Sequence, residues 1–127
     1  MKQKTYDHSG TIEERAVLVG LVLKSDRADG ERTLHSLNEL ARLAETAGVT
    51  VLTTVVQRKE AADPKWLIGK GKVDELKAVI SELGANTAIF DRELSGAQVR
   101  NLEQALDVKI IDRTQLILDI FAQRART

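Results

Sequence analysis

Ala16-Val17-Leu18-Val19-Gly20-Leu21-Val22-Leu23 is a near-continuous apolar run. A strand with one face in water alternates apolar and polar residues, whereas a strand buried on both faces does not. This run therefore reads as a strand of a parallel sheet. Downstream, residues 24–30 are polar and charged and read as a loop. Leu34, Leu37, Ala41 and Ala44 then recur at helical spacing, with Leu40 and Ala47 filling the stripe. Thr33 or Asp29 can cap that helix, and Gly48 suits the left-handed residue that ends it.

The alternation continues to the end of the chain. Residues 49–56 are rich in β-branched residues and form a second strand. Val73, Leu76, Ile80 and Leu83 mark a second helix, with Asp74 and Glu75 in its first turn and Gly84 at its end. Thr87-Ala88-Ile89-Phe90 is a third strand. Ser95 caps a third helix on Val99, Leu102 and Leu106. Val108-Lys109-Ile110-Ile111 is a fourth strand, and Thr114 can cap a last helix from Gln115 to about Arg126. The order is βαβαβαβα. It predicts an α/β fold: an open four-stranded parallel sheet with helices on both faces. Analogy with doubly wound sheets gives 2-1-3-4 as the strand order. Residues 1–14 read as a flexible lead-in, and residues 15–127 as the domain.

Composition narrows the chemistry. The chain has 127 residues, enough for one domain that buries roughly two-thirds of its unfolded surface. There is no cysteine, which excludes disulfides, thiolate metal sites and cysteine nucleophiles. No signal peptide or membrane-length apolar run is present, so a cytoplasmic setting is expected. The formal net charge is zero and aromatic residues make up 3%, so any nucleic-acid binding must come from a local basic patch, with few stacking platforms.

Residues 57–72 form a long connection, which is where function concentrates. It ends in Gly69-Lys70-Gly71-Lys72, just before the second helix. Free amides at a helix start suit an anion, the glycines allow close approach, and the lysines add charge. It is not a P-loop: the G-x-x-x-x-G-K-[ST] pattern is missing, as is a Ser or Thr after Lys72 to hold magnesium. A solvated turn is as good a reading of these four residues as a phosphate or RNA-backbone contact. Asp91-Arg92-Glu93 and Asp112-Arg113 fall at the carboxyl ends of strands, where open α/β sheets bind ligands. Charged pairs there more often anchor loops, and no nucleophile or histidine accompanies these carboxylates. His8 lies in the lead-in, and His35 falls near the apolar stripe of the first helix. No metal-ligand spacing and no catalytic residue is found. The last helix is unusually apolar, with Leu116, Ile117, Leu118, Ile120 and Phe121, and then turns basic at Arg124 and Arg126. Leu116, Ile117, Ile120 and Phe121 can face the sheet, whereas Leu118 points away. The helix is either a buried flank of the sheet or a docking surface made of Leu116, Leu118, Phe121 and Arg124.

Several phrases together resemble one family. They are Ala16–Gly20, Glu39–Leu43 running to Ala47-Gly48, Ile68–Leu76, Leu94–Glu103, and the long, specific Ile111–Thr127. Across residues 15–127 the chain resembles the N-terminal domain of HflX-type, ribosome-associated GTPases. One departure is Gly96, where the family commonly has proline; it loosens the loop before the third helix. The resemblance implies that a helical region and a GTPase domain with its P-loop follow in the intact protein, outside this chain. It implies GTP and Mg2+ for that missing domain and no cofactor here. It implies the large ribosomal subunit and its rRNA as partner, with a role in splitting or rescuing ribosomes, and it associates the N-terminal region with adenine nucleotides. Three readings follow. One is a ribosome- and RNA-binding regulatory module that uses Gly69, Lys70, Gly71, Lys72 and Arg113. Another is a nucleotide-binding domain for ATP or ADP on the 69–72 loop. The last is a purely structural docking domain for the helical and GTPase modules. The resemblance favours the first.

Overall fold

The computed structural model describes residues 13–25 and 30–125. Most of the lead-in, Asp29 and Arg126 lie outside the described residues. The elements are β1 (Arg15–Leu23), α1 (Glu31–Thr46), β2 (Thr50–Lys59), α2 (Lys70–Leu83), β3 (Thr87–Phe90), α3 (Gly96–Leu106), β4 (Lys109–Asp112) and α4 (Arg113–Arg124). All neighbouring strands pair in parallel, in the order β2-β1-β3-β4. The expected α/β architecture and strand order are both found.

Each face of the sheet carries its own apolar layer. Val17, Val19, Leu21, Ala88, Phe90 and Ile110 point to the α2–α3 side, where they meet Val73, Leu76, Ile80, Leu102 and Leu106. Ala16, Leu18, Ile89 and Ile111 point to the α1–α4 side, where they meet Leu37, Leu40, Ala44, Leu116 and Ile120. Period-two alternation along β1 thus feeds two cores, which is why its whole sequence is apolar. Gly20 lets α1 come close: a Cβ there would lie 2.6 Å from Leu37 Cδ1.

Several boundaries differ from the sequence expectation. β2 runs on through Gln57, Arg58 and Lys59, which pair with Leu21, Val22 and Leu23. An edge strand keeps one side toward water, so its polar end still pairs. In α1 the buried stripe is Thr33, Leu37, Leu40 and Ala44, and Leu34 is 57% exposed. One residue is roughly 100° of helix, so Leu34 sits that far round from Thr33. The α1 cap position is Gly30, at φ 95° with no side-chain cap, so Thr33 does not cap it. Asp112 rather than Thr114 caps α4, accepting from the Gln115 amide at 3.0 Å. Ser95 caps α3 as expected, in a reciprocal box with Gln98.

Candidate phosphate-binding turn and docking helix

The connection that precedes α2 is shorter than residues 57–72, because β2 and α2 claim both of its ends. What remains is tightly held. Asp63 Oδ1 accepts from the amides of Lys65 (2.7 Å) and Trp66 (3.1 Å). Asp63 and Leu67 exchange backbone bonds at 2.9 and 2.8 Å, which holds Leu67 at φ 66°. That left-handed conformation is uncommon for a leucine and is fixed here by its surroundings. Leu67 and Ile68 are buried in the core. Gln98 and Asn101 of α3 donate to the carbonyls of Asp63 (3.1 Å) and Lys65 (3.1 Å), tying the loop to its neighbour. Lys65 Nζ stacks 4.5 Å from the Trp66 ring centroid.

This clamped loop delivers Gly69 to the α2 cap position. Its amide donates to Gln57 Oε1 at 2.8 Å. Lys70, Gly71 and Lys72 are the first turn of α2, not a stretch before it, and Asp74 and Glu75 lie beyond that turn. The turn holds no acid, and no side chain caps it. Among the described residues, the amides of residues 70–72 have no acceptor, as expected of helix-start donors. Lys70 and Gly71 are exposed, and a Cβ on Gly71 would meet nothing within 4 Å. Lys72 is less available: its Nζ lies 2.5 Å from Glu75 Oε2, and its side chain is 22% exposed. Lys59 Nζ approaches from β2, 3.3 Å from where a Gly69 Cβ would sit. The sequence pattern does not single out Lys59, because its polar surroundings read as loop. Its alternation with Val55 and Gln57 along an extended β2 was the available signal.

Arg113 is committed elsewhere. Its guanidinium donates to Asp91 Oδ1 (2.6 Å), to the Ser36 carbonyl (2.6 Å) and to Ser36 Oγ (2.7 Å). Ser36 Oγ in turn donates to Asp91 at 3.0 Å. These contacts lock α1, β3 and α4 together. Asp112 is equally engaged, accepting from the Leu94 amide at 2.9 Å as well as from Gln115. The strand order reverses between β1 and β3, the place where doubly wound sheets open a crevice. Here Arg92 Nε donates to the Leu21 carbonyl at 3.0 Å, and the Asp91 amide to the Val19 carbonyl at 2.9 Å. The charges at this edge thus fasten the fold to itself. His35 does not pack either; it is exposed and pairs with Glu39 at 2.9 Å.

On α4, Leu116 is 1% exposed and belongs to the core, whereas Leu118 (54%) and Phe121 (64%) face outward. Leu116 is thus no part of the docking surface expected for it, and Phe121, which the pattern allowed on either side, takes the outer one. The helix presents Leu116 and Ile120 to the sheet, four residues apart. Arg124 is exposed beside Phe121, and Gln123 Nε2 bonds the Ala47 carbonyl at 3.2 Å.

Residues 34–122 match the family described as GTP-binding GTPase N-terminal. The chain belongs to that family, the N-terminal domain of HflX-type GTPases. It is 48% identical over 116 residues to the GTPase HflX of Lacrimispora saccharolytica, covering 91% of this chain and 26% of that protein. It is 42% identical over 114 residues to the GTPase HflX of Escherichia coli, covering 90% and 26%. The chain therefore spans about a quarter of the length of the curated HflX relatives it matches. Among solved structures, a variant of SsGBP superposes with TM-score 0.63 at 22% identity, covering 86% of this chain and 32% of that one. A GTP-binding protein of Sulfolobus solfataricus, solved with GDP, superposes with TM-score 0.55 at 22% identity, covering 86% and 30%. These structural likenesses concern the fold.

Proposed function

We propose that this chain is the ribosome- and RNA-binding regulatory module of an HflX-type GTPase. One observation carries the reading. The first turn of α2 offers uncapped amides with Lys70 exposed beside them, and no acid lies in the turn. Amides and dipole at a helix start attract phosphate oxygens, and a flexible lysine supplies the charge. In this reading Gly69, Lys70, Gly71 and Lys72 touch the rRNA backbone of the large ribosomal subunit. Residues 15–127 form the N-terminal α/β unit, behind a lead-in of residues 1–14.

That the relatives are HflX GTPases supports a GTPase activity in the intact protein, and the proposal extends from there. The intact protein binds and hydrolyses GTP with Mg2+ in a domain beyond this chain, works in the cytoplasm, and helps split or rescue ribosomes. Leu118, Phe121 and Arg124 dock the helical and GTPase modules on α4. No helix among the described residues is long and apolar enough to cross a membrane. The same uncapped turn also favours a second reading, in which it holds the phosphates of ATP or ADP.

Salt separates the two. Affinity for large-subunit rRNA should fall with rising salt, with a log–log slope of about −1.4 to −1.8 if two lysines contact phosphates. Saturable ADP or ATP binding without rRNA binding would move the assignment to the nucleotide.

A further inference from the structure

The two edges of the sheet are built differently. β4 is four residues long and begins and ends on the charged residues Lys109 and Asp112, which discourages further pairing. β2 is ten residues long, about 33 Å at the usual rise, and Thr50–Gln57 contains no charge, proline or glycine. A bulge at Leu52 and the cations Arg58 and Lys59 are all that blunt it.

One side of β2 pairs with β1. The Thr50 amide donates to the Glu14 carbonyl, and the Lys59 carbonyl accepts from the Lys24 amide. In a parallel ladder alternate residues address the same neighbour, so Thr53, Val55 and Gln57 also face β1. The backbone groups of Thr54 and Val56 then point outward, and among the described residues they have no partner. Thr54 is exposed at its side chain as well.

We propose that this outer edge is a self-association seam: two copies pair β2 antiparallel across a two-fold axis at Thr54, joining their sheets into one of eight strands. Charge selects the sense. Parallel self-pairing would set Arg58 and Lys59 against their own copies, and like charges opposite one another are unfavourable. Antiparallel pairing carries them to the other end, beside Thr50 of the second copy. There Glu13 is held by the Thr50 hydroxyl at 3.2 Å, so each cationic end meets a carboxylate. The contact is isologous and closes at two copies.

The test is sedimentation of the 127-residue chain over a concentration series. Mass should rise from 14.0 kDa toward twice that value. Thr54→Lys puts a charge against its own copy on an already exposed site, and should raise the dimer Kd at least about tenfold with an unchanged circular dichroism spectrum. Thr54→Pro deletes an outward amide without touching the β1 ladder, and should act the same way. Phe121→Ser, on the far helix, should leave the dimer intact. A chain that stays monomeric throughout the series would overturn the proposal. So would a dimer that survives Thr54→Lys and is lost in Phe121→Ser, which would place the seam on α4.

Discussion

Lys70 and Arg113 occupy the same place in two different helices. Each is the first residue after the cap, and each heads its helix near the carboxyl edge of the sheet. Their fates are opposite. Arg113 meets Asp91 and Ser36, and the helix behind it is capped by Asp112. Lys70 follows a glycine cap and stands exposed, on a turn with no acid. A cation is available to an outside phosphate only where the fold has not already supplied a carboxylate. Sequence position alone does not distinguish these two cases; the neighbours do.

The sharpest way to break this comparison is Arg113→Ala. Removing the guanidinium leaves Asp91, whose side chain is 10% exposed, without its counter-ion and loosens three elements at once. Breaking a fully buried pair costs about 3–5 kcal/mol, and the 24% exposure of Arg113 reduces that to about 2–3 kcal/mol. Urea unfolding should show this loss, while rRNA affinity of the folded fraction should stay put. A large loss of binding at unchanged stability would make Arg113 a ligand after all.

Next in size is Asp63→Ala, which acts on the other side of the comparison. The carboxylate holds the Lys65 and Trp66 amides and steadies the loop that carries Gly69 into place. Loss of two charge-assisted bonds at a half-buried turn should lower stability by about 1–2 kcal/mol. Amide exchange at Leu67 should quicken, because the backbone pair with residue 63 that holds its left-handed conformation loses the side-chain turn that steadies it. Unchanged exchange there would show that core packing of Leu67 and Ile68 suffices.

The strands were legible because apolar residues in β1, β3 and β4 have no reading but burial. What escaped was anything set by a distant or local partner. The end of β2 is hydrophilic and was readable only through its pairing with β1. The start of α2 carries glycine and lysine rather than a capping side chain, so its first turn resembled a loop. Thr33 took the buried place of Leu34 because helix phase, not hydrophobicity, chose it. At the candidate site, Gly69–Lys72 was legible from composition. The fate of Arg113 was not, since its partners lie 22 and 77 residues away.

The smallest effect on stability, and the finest test of the comparison, is Lys70→Ala against Lys72→Ala. Both residues lie in one turn, so a sequence-level view weights them equally. The structure does not. Lys72 already holds Glu75, three residues on along the same helix, and most of its side chain is covered. Ion pairs between neighbouring turns of one helix contribute about 0.3–0.5 kcal/mol, so either substitution should keep stability within roughly 0.5 kcal/mol of the parent. Binding should differ. A lysine that must leave a carboxylate to reach a phosphate gains less than one that leaves only water. Lys70→Ala should therefore flatten the log–log salt slope for rRNA by about 0.7–0.9, one full contact, and Lys72→Ala by clearly less. Glu75→Gln frees Lys72 without moving Lys70, and should bring the two closer to parity. Equal losses in both single variants of the parent chain would show that the Glu75 pair opens at no cost, and that local carboxylates do not ration the charge of this turn.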